Sequence, residues 1–174
     1  MRSLICIGVF ASTIPFARAH PDGAPWGAAR PTAAETCNTC HFDNEPIHDS
    51  TQLQIEGLPY EPEPGETYDL TISLQDLNAV TAGFQLIAEA DQAGAFVSTA
   101  ANMEFIGPAI RSTQPAKSNG AVSWSLQWQV PPVFAGPIVL YVAATSANDD
   151  GSPLGDKIHF RSYTLPQEEP EPDR

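Results

Sequence analysis

Cys37, Cys40 and His41 are the residues whose types and spacing most directly specify chemistry. They lie in the run Cys37-Asn38-Thr39-Cys40-His41, a C-x-x-C-H pattern. In c-type haem attachment, two cysteines three positions apart form thioethers with the haem vinyl groups. The histidine that follows is set under the iron as proximal ligand. The pattern therefore predicts one covalent haem c held by Cys37, Cys40 and His41. Two other chemistries fit the same residues. A Cys37–Cys40 disulfide would suit an oxidising compartment, but it closes a short loop, stabilises little and leaves His41 without a role. A zinc site would draw on Cys37, Cys40 and either His41 or His48, and its fourth ligand is not evident.

A haem iron has a second axial position. His48 lies on the polar loop after the motif, and seven extended residues span at most about 25 Å, enough to pass the edge of a haem. Met103 is the alternative distal ligand, and Met/His ligation raises the potential. His48 has the smaller loop-closure cost, and Met103 needs a specific tertiary approach. His159 alternates with Lys157 and Arg161, which predicts a solvent-facing side chain.

Other residues offer less. Asp149, Asp150 and Asp156 surround a Gly-containing turn but lack the carboxylate spacing of a known calcium loop. His20 has no second histidine predictably close for copper. Neither calcium nor copper is expected. No nucleophile–base arrangement and no phosphate loop stands out, so no catalytic residue is predicted, and a carrier or binding protein is expected rather than an enzyme.

The elements that must position the motif read as β. Leu53 to Glu56 alternates. Tyr68, Leu70, Ile72 and Leu74 fall on one face of a second strand, and Phe84, Leu86 and Ala88 repeat the period. Ala95 to Ser98 is a short strand. Met103 to Ile110 is interrupted by Gly107-Pro108. Val122, Trp124, Leu126, Trp128 and Val130 give the cleanest alternation, with both tryptophans assigned to the core. Ile138 to Ala143 is apolar throughout and reads as buried on both faces. Ile158, Phe160 and Ser162 are assigned to the inner face of a last strand. Seven or so short strands separated by turn signals predict an antiparallel β-sandwich.

The N-terminus reads as an export signal. Met1-Arg2-Ser3 is basic, Leu4 to Ile14 is apolar but too short to span a bilayer, and Ala17-Arg18-Ala19 is an A-x-A cleavage site. Cleavage before His20 removes Cys6 and leaves the two motif cysteines. The predicted organisation is a signal peptide over 1–19, an arm carrying the motif over 20–52, a sandwich over 53–165 and an acidic, proline-containing tail over 166–174. No transmembrane segment is expected after cleavage, and the arm either lies over the domain or is left free. The 174-residue chain has a formal charge of −13. Loss of Arg2 and Arg18 leaves six basic side chains against 21 acidic ones, a formal −15. That excludes nucleic acid as an expected partner and favours a basic redox partner protein.

An ordered set of short segments carries a resemblance. Gly23-Ala24-Pro25, the Glu35–His41 run, Gly57-Leu58-Pro59-Tyr60 and Pro64-Gly65-Glu66-Thr67-Tyr68 come first. Ala82-Gly83-Phe84-Gln85-Leu86, Trp124-Ser125-Leu126-Gln127-Trp128 and Gly155-Asp156-Lys157-Ile158 follow. The chain resembles the bacterial choice-of-anchor V domain, a relative of the reeler domain at the N-terminus of reelin. The resemblance implies an exported, immunoglobulin-like sandwich, often tied to the cell surface by a C-terminal anchor. This sequence ends in Glu171-Pro172-Asp173-Arg174 without an apolar anchor, so a free secreted or periplasmic protein is expected. The expected function is electron transfer by a monohaem protein on a reeler-like scaffold. The alternative is a haem-free extracellular adhesion or interaction module with Cys37 and Cys40 joined.

Overall fold

The period-two runs form strands in the computed structural model, which describes residues 23–89, 93–97 and 100–167. The expected signal peptide, Cys6 and His20 lie outside the described residues, as does the tail beyond Gln167. In chain order the strands are β1 (Leu53–Glu56), β2 (Thr67–Gln75), β3 (Thr81–Glu89), β4 (Ala95–Val97) and β5 (Met103–Ile106). Then come β6 (Ala109–Ser112), β7 (Ala116–Lys117), β8 (Ala121–Gln129), β9 (Ile138–Ala147) and β10 (Lys157–Leu165). One sheet has the order β1-β2-β8-β4; the other runs β10-β9-β3-β6-β5, with β7 also paired to β3. All strand pairings are antiparallel. The expected all-β sandwich is the observed fold.

Register explains the main core. β2 and β8 align Tyr68 with Trp128, Leu70 with Leu126 and Ile72 with Trp124, so both apolar rows face the same way. A one-residue slip would turn every one of them to solvent. They meet Phe84, Leu86, Leu140 and Val142 of the opposing sheet in one cluster. Trp124 and Phe84 touch across the sheets with ring centroids 4.8 Å apart. Trp128 is fully buried and its indole N–H donates to Ala93 O at 2.9 Å. The interrupted stretch at Met103 becomes a hairpin, β5 to β6, turning at Gly107, whose φ of +52° an L side chain adopts reluctantly.

The five-strand path also buries a patch of apolar side chains on its outer face. Ala143 of β9, Ile87 of β3 and Ala109 of β6 point away from the main core and join Ile158 and Phe160 in a second cluster. Ala29 and Cys37 of the arm close that cluster, so the arm lies over the sheet. This corrects the assignment of β10. Ile158 and Phe160 face outward under the arm, and Leu165 and Tyr163 face the main core. His159 shares that inner side and is fully buried, not solvent-facing. The cause is the loop after the motif, which lies along β10: Ile47 N donates to Ile158 O at 2.8 Å and Phe160 N to Ile47 O at 2.9 Å. Ser50 N then donates to Phe160 O at 3.0 Å. Interleaved Lys157 and Arg161 mislead because their long stems reach the sandwich edge. Lys157 Nζ meets Asp76 Oδ2 at 3.0 Å, and Arg161 reaches Leu53 O at 3.2 Å.

Candidate functional site

The start of the arm is clamped to the sheet by Gln85 and Arg111. Gln85 of β3 points outward, yet it is only 1% exposed. Its Oε1 accepts from Gly27 N at 3.0 Å and Ala29 N at 3.1 Å, and its Nε2 donates to Pro25 O at 2.9 Å. Arg111 of β6 adds a bond to Ala24 O and lies 4.3 Å over the Trp26 ring. Beyond this clamp the chain turns through a single 3₁₀ turn, Cys37–Thr39. Thr36 N donates to Thr39 Oγ1 at 3.1 Å, and His41 N closes back on Cys37 O at 3.1 Å. The motif is therefore wound so that both cysteines and the histidine come to the same side of the arm.

That side is the wall of a cavity of about 390 Å³ between the arm and the outer sheet face. This lies within the 300–1,000 Å³ range of small-molecule and cofactor sites. Cys37, Cys40 and His41 all line it. Its floor follows from strand register: Gly83 sits beside Thr145 and Gln85 beside Ala143. Small side chains there leave the space that a Leu or Phe would fill. A Cβ on Gly83 would already approach Ser112 Oγ to 3.1 Å.

His41 is the anchored member of the motif. Its Nδ1 lies 2.8 Å from Oδ2 of Asp156, which is only 2% exposed. A carboxylate only accepts, so Nδ1 is the donor and Nε2 is the nitrogen left for a metal. Asp156 is itself fixed: its Oδ1 accepts from Asn148 N at 3.3 Å and its backbone O from Asn44 Nδ2 at 2.9 Å. Gly155 N donates to Asp43 Oδ2 at 3.1 Å. The residues after the motif and the loop between β9 and β10 thus lock one another. No sequence signal marked Asp156 as a partner of His41, because the two are 115 positions apart.

Both motif thiols are free. Cys37 keeps part of its surface exposed, but its sulfur is enclosed and contacts Ala28 O at 3.6 Å. Burial pushes its thiol up to about 12 despite a stabilising backbone N–H, and the neighbouring Cys40 adds to the rise. Among the described residues, no three His, Cys, Asp or Glu side chains converge as a metal cage requires.

The predicted distal ligands lie elsewhere. His48 is stacked on Phe160 at 5.5 Å and 13°. Met103 packs against the main core from β5. Neither lines the cavity. Asp149 does, with its charge paired to Lys117 at 2.6 Å. Asp150 accepts from Ser152 N at 2.8 Å within its own turn.

A second polar group lies inside the sandwich. Ser50 Oγ is 2.9 Å from His159 Nδ1, and Asp76 Oδ2 lies 3.8 Å from His159 Nε2. The three residue types are those of a hydrolase triad, but all three are at most 3% exposed. No substrate reaches them, so the trio is structural. Burial lowers the pKa of His159, outweighing the attraction of Asp76. For Asp76, burial opposes ionisation, and bonds from Asn78 N, Lys157 and Ser146 overcome it, holding the carboxyl below its ordinary range.

No family description and no curated protein matches the chain. Solved structures do. The Reelin-N domain of F-spondin superposes with a TM-score of 0.55 at 21% identity, covering 76% of this chain and 97% of that one. The human F-spondin reeler domain gives 0.53 at 17% identity, covering 72% and 95%. At such identities the likeness establishes the fold, a reeler-like β-sandwich. Among the described residues, no helix is long and apolar enough to cross a membrane.

Proposed function

We propose that this chain is an exported monohaem c-type protein that carries electrons on a reeler-like scaffold, not a catalyst. One observation carries the reading: Cys37, Cys40 and His41 line one cavity without converging, and buried Asp156 holds His41 by Nδ1. A zinc site needs its donors gathered around one point. A haem c site needs two sulfurs at the ring edge and only the imidazole at the iron. Haem bound there would supply one-electron exchange. The chain would contribute its own chemistry around that group. Cys37 and Cys40 would hold the ring covalently, His41 would present Nε2, and Gly83, Ala143 and Thr145 would leave room and limit water. Enclosure of the Cys37 thiol favours attachment before the arm docks, because a neutral, covered thiol reacts slowly.

The N-terminal signal pattern supports secretion or a periplasmic location. The acidic surface supports a basic redox partner, drawn in by long-range charge. The order of short motifs supports a place among choice-of-anchor V domains. The test is production in a strain with c-type haem maturation. The purified protein should gain one haem mass that survives denaturation, and Cys37→Ala with Cys40→Ala should abolish it. A colourless product two mass units lighter than the dithiol would refute the reading. It would favour the haem-free extracellular module with a Cys37–Cys40 disulfide.

A further inference from the structure

Asp156 is a buried carboxyl side chain with no Lys or Arg partner among the described residues. Its carboxylate is 2% exposed, and among the described residues its only ionisable partner is His41. Its Oδ1 accepts from the neutral Asn148 N, while Asn44 donates to the Asp156 backbone O. Asp149, on the same cavity wall, is instead matched by Lys117. The carboxylate fixes the His41 ring through Nδ1 at 2.8 Å and leaves Nε2 as the nitrogen that can ligate a metal.

We infer that Asp156 is a positioning residue that sets the redox balance of the site, holding His41 as a strongly donating ligand and favouring the ferric state. The inference rests on the haem reading and deepens it. In a haem held there, one-electron reduction by a donor protein would lower the positive charge at the metal by one. A charged acceptor on the ligand's other nitrogen stabilises the higher charge. The overall acidity of the chain acts in the same direction.

Asp156→Asn tests this, because it keeps the size of the side chain and removes its charge. The attached haem should be retained. At a fixed dye potential, the ferrous-to-ferric ratio should rise on the order of tenfold. Asp156→Glu should move the ratio back toward wild type if the longer carboxylate regains Nδ1. Asp150→Asn, an exposed charge loss on the same loop, is the control and should move the ratio far less. An unchanged ratio in Asp156→Asn, or an equal rise in Asp150→Asn, overturns the role of Asp156. Should Asp156→Asn not fold, Asp156→Ser takes its place: haem retained with a markedly higher ferrous fraction supports the role, and an unchanged ratio refutes it. Absence of covalent haem in the wild type is a separate outcome that removes the parent reading itself.

Discussion

Gln85→Leu is the sharpest test of how the arm is held. The substitution conserves volume and removes three hydrogen bonds, to Gly27 N, Ala29 N and Pro25 O. A typical net contribution is about 1 kcal/mol per bond. Both N–H groups share one oxygen, so the total is about 2–3 kcal/mol, at or somewhat below the sum for three independent bonds. Ala29 is fully buried, and its amide would be left without a partner. The loss falls on the docked arm, because Gln85 stands on the outer sheet face. Opening of the arm should therefore become roughly 30- to 150-fold more frequent, at about 1.4 kcal/mol per factor of ten. Amide hydrogen exchange reads this directly. Gly27 and Ala29 should exchange faster by that factor, with β2 and β8 unaffected. Exchange at Ala29 within about threefold of wild type would show that the arm is held by something other than Gln85.

Two further expectations concern the sandwich. Trp124→Ala and Trp128→Ala should each cost about 3–5 kcal/mol in denaturant unfolding, as large-to-small core changes do; full stability with loss of a binding partner would instead mark an aromatic surface. Trp128→Phe should cost more than Trp124→Phe, because the Trp128 indole N–H is bonded and that of Trp124 is not. Acid should destabilise in two stages. The unfolded chain takes up a proton on His159 near pH 6.5, and the folded one resists, so stability falls as pH drops below that value. Asp76, held below its ordinary range, contributes stability above about pH 4 that is lost as pH falls through its folded value. Thermal melts across pH should show both stages, and His159→Gln should remove the upper one; an unchanged slope between pH 7 and 5.5 in that variant would count against it.

What could be read from the sequence was what local pattern controls. The alternation at Val122–Val130 and Tyr68–Leu74 specified two strands and their inner faces, because period two and burial coincide there. The uniform apolarity of Ile138–Ala143 marked a strand buried on both sides. Faces set by distant chain were not readable. Ile158 and Phe160 look like any inner row until the arm covers them, and His159 looks exposed until the Ile47–Ser50 loop closes over β10. The site divides the same way. Cys37, Cys40 and His41 form a local motif and were visible. Asp156 and Gln85 are ordinary polar residues whose roles arise only from contacts 115 and 56–60 positions away.

The scaffold and the motif are linked by the second buried face. Here Ile87, Ala143, Ile158 and Phe160 put an apolar patch on the outer face beside polar Gln85 and Arg111, and the arm covers it. Covering it brings Cys37 into that cluster and turns His41 toward the loop before β10. The chain does not close flush, because Gly83 and Ala143 are too small to meet it, and the gap is the cavity. In the proposed haem site the C-x-x-C-H spacing would supply attachment chemistry but neither shelter nor an oriented imidazole. Shelter comes from small residues on two strands, and orientation from Asp156 on a loop late in the chain. Enlarging the floor or neutralising that loop should therefore alter the site while leaving all three motif residues in place.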